Sequence, residues 1–124
     1  MVSFDDVGVM LDDIADELPE DFYKELNGGI YLLPDVKLHP ESMNRHRLYI
    51  MGEYHSERAF GKYITIYYGS FIRVYSHLSP EEQKAKLKQI LIHEFTHHLE
   101  FMAGEKGLEV KDAQDLAKYR QGLR

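Results

Sequence analysis

His93, Glu94 and His97 are the residues of this chain whose types and spacing suit shared chemistry. They form a His-Glu-x-x-His pattern. Two imidazoles four residues apart lie on the same face of a helix and can turn a ring nitrogen toward one metal ion. A carboxylate beside the first imidazole then sits next to the open coordination position, where it can take a proton from a metal-bound water. That set suits zinc-assisted hydrolysis of a peptide bond, with His93 and His97 as metal ligands and Glu94 as general base. The chain contains no cysteine, so a zinc ion here has to be held by imidazoles and carboxylates.

The motif needs a helix to carry it, and the sequence predicts one over about residues 80–102. Ser79-Pro80-Glu81-Glu82 is a capping signature, with Ser at the N-cap, Pro at the first helical position and Glu at the third. No Gly or Pro interrupts the stretch from Glu81 to Met102. At ~100° per residue, Leu87, Leu91, Phe95, Leu99 and Met102 share one arc, while His93, His97 and Glu100 fall on roughly the opposite side. Such a helix is covered by core on one face and presents its histidines on the other.

Upstream, Ser3 and Asp6 open an amphipathic helix with Phe4, Val7, Met10, Leu11, Ile14 and Leu18 at helical spacing and a row of aspartates on the wet side. Pro19 breaks it, and a second short helix is expected through Phe22, Tyr23 and Leu26 before Asn27-Gly28-Gly29. The acidic row reads as a solvated helix face, with a partner-binding patch as the sharper alternative. Ile30–Leu33, Leu48–Tyr54 and Lys62–Tyr68 read as strands, the last two antiparallel and joined by a turn between Glu57 and Gly61. Residues 34–47 read as a polar loop. Gly69 and Ser70 are expected to end the last strand, with a short helical segment over Phe71–Tyr75. After Gly104-Glu105-Lys106-Gly107, residues 108–119 carry the pattern of a return helix. Tyr67, Tyr68 and Tyr119 are candidate donors to an oxyanion, set against ordinary sheet packing.

Composition bounds the rest. With 124 residues, 44% of them hydrophobic and 29% charged, the chain suits one globular domain spanning residues 1–124. A net charge of −6 argues against nucleic acid or an anionic membrane as the main partner. The first residues lack a basic region followed by an apolar run, and no stretch approaches the ~20 apolar residues of a membrane span, so a cytoplasmic location is expected.

Beyond the motif, Asn27–Pro34, Leu48–His55, Gly61–Phe71 and His93–His98 together resemble the small bacterial zincin-like metallopeptidases, often called minimal zincins. The likeness covers most of residues 20–112. It implies an α+β fold: a minimal zincin-like core in which a small, mainly antiparallel sheet packs on the active-site helix, flanked by N-terminal helices and a C-terminal return helix. It also implies a zinc ion and a peptide or protein substrate. Many members continue the motif as His-Glu-x-x-His-x-x-Gly-x-x-Asp, where the Asp is the third ligand. Here those two positions are Glu100 and Ala103, so the third ligand must come from elsewhere. Glu100 lies a turn beyond His97 and is judged out of reach. Of Glu109, Asp112 and Asp115 on the return segment, Asp112 is the expected ligand and Glu109 the next choice.

Two other readings stand beside the hydrolase. One is a zincin-derived binding or regulatory protein that keeps the metal without turnover, and the other is a metal-free interaction domain using its acidic first helix. If peptides are cleaved, they should add as a strand to a free sheet edge, for which Lys62–Tyr68 is the expected strand.

Overall fold

A computed structural model describes residues 2–42 and 48–106 of the chain. Helix α1 (Phe4–Glu17) starts at a reciprocal cap. Ser3 Oγ accepts from the Asp6 amide and Asp6 Oδ2 from the Ser3 amide, each at 3.1 Å. Val7, Leu11 and Ile14 form its buried stripe. On its wet side Asp13 and Glu17 each lie 3.6 Å from a lysine, Lys84 and Lys88 respectively. The acidic row is therefore partly paired within the molecule, at less than ~1 kcal/mol per exposed pair.

Pro19 ends α1 as expected, but the second helix shrinks to one 3-10 turn, Glu20–Tyr23. Phe22 and Tyr23 both pack on Phe95, and the Tyr23 hydroxyl donates back to the Ala15 carbonyl at 2.6 Å. The chain then turns through Glu25 at φ 62°, a left-handed conformation that no helix continues through.

Three strands follow: β1 (Gly29–Leu33), β2 (Gly52–Glu57) and β3 (Gly61–Tyr67), in the order β1-β3-β2. β1 runs parallel to β3 and β2 antiparallel to it, so the sheet is mixed rather than mainly antiparallel. β3 is the central strand, which corrects the expectation that Lys62–Tyr68 offers a free edge. Its Ile64 and Ile66 are wholly buried, and strands on both sides take up its backbone groups. Among the described residues the free edges belong to β1 and β2.

β2 also begins later than its apolar run suggests. Residues 48–50 pair instead with 37–39, through a Leu38–Tyr49 bridge and a 2.9 Å bond from the Ile50 amide to the Lys37 carbonyl. β3 leads straight into α2 (Tyr68–Tyr75), so Gly69 and Ser70 lie inside a helix rather than before one. Their role is close packing. A Cβ on Gly69 would come within 2.7 Å of the Pro34 and Asp35 carbonyls, and buried Ser70 accepts from the Lys37 amide at 2.8 Å.

Helix α3 (Pro80–Lys106) carries the expected cap, with Ser79 and Glu82 exchanging backbone-to-side-chain bonds of 3.2 Å. Leu87, Leu91, Phe95, Leu99 and Met102 are all buried, as the periodicity predicts. The first four meet Ile64 and Ile66 from the sheet and the α1 stripe in one core. The described architecture is thus α+β, a small mixed sheet with three helices. The expected return helix over residues 108–119 lies outside the described residues.

Candidate active site

The periodicity that buries Leu91 and Phe95 leaves His93 and His97 exposed on the far side of α3. Their Nε2 atoms face each other at 3.1 Å, with the rings at 87°. Two nitrogens bound to one tetrahedral zinc at ~2.05 Å stand ~3.3 Å apart. The pair as it stands is therefore close to the separation that a shared zinc requires. Glu94, next along the helix, turns the other way around α3 and is 5% exposed. It nevertheless reaches the same cleft, because the neighbouring strand passes it at Gly52. A Cβ there would lie 3.4 Å from Glu94 Cγ and 3.0 Å from both Ile66 Cδ1 and the Thr65 carbonyl.

β2 and the residues before it form one wall of the cleft and α3 the other. One half, of about 480 Å³, is lined by Gly52, Glu53, Tyr54, His93, Glu94, His97 and Phe101. The other, of about 330 Å³, shares Gly52, His93 and Glu94 and adds Ile50, Met51, Gln89 and Ile90. His93 and Glu94 thus lie where the two halves meet, and His97 lines the larger half.

Burial pushes the Glu94 carboxyl up to about 7, with the nearby Glu53 charge adding to the effect. A base that ionises near neutral pH suits proton transfer at that pH. Burial also works against ionisation of Glu53, but the Lys37 ammonium and the Tyr67 hydroxyl outweigh it, holding that carboxyl below its ordinary value.

His98, adjacent to the motif, has a different role. It is wholly buried, its Nε2 lies 2.7 Å from the Lys24 carbonyl and its Nδ1 lies 2.8 Å from the Tyr54 hydroxyl. A carbonyl only accepts, so Nε2 carries the proton and Nδ1 accepts from Tyr54. Burial lowers its pKa, in keeping with this neutral form. His98 therefore ties α3 to β2 and to the turn after residue 23.

The candidate tyrosines fall elsewhere. Tyr67 donates to Glu53 at 2.5 Å, Tyr68 donates to the Val2 carbonyl at 2.6 Å, and neither lines the cleft. Tyr119 lies outside the described residues. So do Asp112, Glu109 and Asp115, the choices for third ligand. Among the described residues, Glu100 included, no group of three His, Asp or Glu side chains is placed to hold a metal. Glu53, Tyr54, Phe101 and Gly52 are cleft residues that no motif in the sequence singles out.

No family model and no curated protein matches the chain. A solved structure described as a conserved hypothetical protein from Thermo thermophilus has a similar fold, with a TM-score of 0.69 and 26% identity over 84% of this chain and all of that one.

Proposed function

We propose that the chain is a zinc-dependent peptidase of the minimal zincin type, with His93 and His97 as ligands, Asp112 as the third and Glu94 as general base. The observation that carries this reading is the pair of Nε2 atoms 3.1 Å apart at the centre of a cleft that buried Glu94 also lines. When bound, zinc would polarise the scissile carbonyl and acidify a water. Glu94 takes the proton from that water and passes it to the departing amine, a task that suits a carboxylate raised toward neutrality. The β2 edge faces the cleft through Gly52, Glu53 and Tyr54 and supplies backbone groups for an extended peptide. Gly52 keeps this strand close to Glu94, so the base and the peptide backbone share one narrow space.

The second reading, a metal-holding regulatory protein without turnover, is favoured by Glu100 and Ala103 standing where many minimal zincins carry Gly and the ligand Asp. One digestion decides between them. A mixed peptide library treated with the parent and with Glu94→Gln should show zinc-dependent cleavage by the parent, and the variant should bind zinc equally but cleave at least ~10²-fold more slowly. No zinc-dependent cleavage at high enzyme concentration would favour the non-catalytic reading.

A further inference from the structure

The two halves of the cleft differ in chemistry. Ile50, Met51 and Ile90 line one half, and Met51 and Ile90 are seated against the core. The other half is lined by the Glu53 carboxylate and by the rings of Tyr54 and Phe101. Glu53 Oε1 takes both the Lys37 ammonium and the Tyr67 hydroxyl, while Oε2 accepts no hydrogen bond among the described residues. The supports of Glu53 extend further back. Thr65 donates to the Tyr67 hydroxyl at 3.1 Å, and His55 Nε2 stands 2.9 Å from Thr65 Oγ1. Lys37 is held in turn by the bonds between its backbone and Ser70. A carboxylate braced on one oxygen and open on the other is a fixed acceptor.

Tyr54 and Phe101, with ring centroids 6.1 Å apart, stand in the same half. Lys62 already lies over the Phe101 ring at 5.8 Å, so a cation is accommodated at this ring. Apart from the histidines, none of the described side chains lining either half is basic. An open carboxylate oxygen beside aromatic faces is a setting for an ammonium or guanidinium group.

Length agrees with a ligand that reaches both halves. From Gln89 to Phe101 the helix rises ~18 Å at 1.5 Å per residue, which is about five residues of extended peptide at ~3.3 Å each. Residues 50–54 run beside it in the same direction, with Ile50 and Met51 in the half that holds Gln89 and Ile90, and Glu53 and Tyr54 in the half that holds His97 and Phe101.

We infer that the Glu53 half of the cleft is a subsite for a cationic group of the peptide, and that the Ile50, Met51 and Ile90 half takes an apolar residue beyond the histidine pair. This rests on the peptidase reading for the position of the bond, but the charge selection is testable as binding alone. The assay uses the full, zinc-loaded chain carrying Glu94→Gln, so that ligands stay intact, and fluorescein-labelled acetylated peptides read by anisotropy. Each peptide places an Arg on one or the other side of a Leu, and its partner has Gln in place of Arg. A third peptide lacks both the Arg and the acetyl group, so its free amino terminus is the only cation.

The better Arg peptide should bind about tenfold tighter than its Gln partner. Adding Glu53→Gln should bring the ratio below about twofold, while Glu81→Gln, the same charge change on the exposed first turn of α3, should leave it unchanged. Tighter binding of the third peptide would assign the subsite to an amino terminus, and tighter binding of the Arg peptide to a side chain. Equal binding of Arg and Gln peptides, or a ratio that survives Glu53→Gln, overturns the inference. Cleavage by the parent without charge preference would overturn it and leave the peptidase reading standing. Charge-selective binding with no cleavage would do the reverse.

Discussion

Glu94 carries the clearest consequence at the scale of single residues. In the metal-free protein its carboxyl is raised from 4.5 to about 7 by burial and by the Glu53 charge. A folded-state value above the unfolded one means that the native state holds the proton more tightly. The associated stability is fully present below about 4.5 and is lost as pH rises through about 7. Chelator-treated Glu94→Gln should therefore be more stable than the parent at pH ~8, by on the order of 3 kcal/mol, and close to it at pH ~5. Urea denaturation at both pH values measures this, and an equal difference at each would rule it out. Glu53 does not enter this window, because its carboxyl is held below the ordinary value and its contribution is lost only in acid. Metal affinity tests the ligands separately. His93→Ala or His97→Ala should abolish stoichiometric zinc, and binding should weaken in acid because protons compete with the metal for its ligands. Asp112→Ala should weaken zinc by more than the ~10- to 100-fold typical of a residue that only supports a ligand. Glu100→Ala should have a smaller effect, and chelator competition giving the opposite order would remove Asp112 as the ligand.

Two glycines separate close packing from helix propensity at the scale of elements. Gly52 lets β2 pass close to β3 and Glu94, with three groups within 3.4 Å of where a Cβ would stand. Gly104, within α3, has nothing within 4 Å of that position. Gly104→Ala should stabilise the protein by up to ~1 kcal/mol through helix propensity and a less flexible unfolded chain. Gly52→Ala should destabilise it by about 1–3 kcal/mol and move Glu94 within the cleft. Melting temperatures give the signs, and a stabilising Gly52→Ala would show that β2 has room to move away from α3. How far these elements can be read from the sequence depends on the range of the forces that make them. The caps at Ser3 and Ser79, and the buried faces of α1 and α3, are legible because caps and i, i+3 and i+4 neighbours are local. The 3-10 turn at Glu20–Tyr23 is not, because packing of two rings on Phe95 and the left-handed Glu25 override a weak helical preference. Nor is the start of β2, where residues 48–50 pair with 37–39 rather than with β3.

Cleft width is a property of the whole molecule, and His98 is one of the residues that set it. Through Tyr54 it holds the edge strand against α3, and through the Lys24 carbonyl it holds the turn behind it. Tyr54→Phe should cost about 1–3 kcal/mol, because it leaves a buried ring nitrogen without its donor. In a His98→Leu background the same change should cost less, since that nitrogen is already gone. Strictly additive losses in urea denaturation would mean that the bond contributes nothing. Taken alone, the sequence determined the helix that carries the motif, which side of it meets the core, and that His93 and His97 project together away from that core. Those features depend on the 3.6-residue period and on caps a few residues away, so no distant partner is needed to define them. Only the tertiary structure decided that β3 is central, that the β2 edge borders the cleft, and that Glu53 and Tyr54 come beside residues some forty positions later. A strand's composition records that it pairs, but which strand it pairs with, and which edge stays open, is settled by packing among segments far apart in the chain.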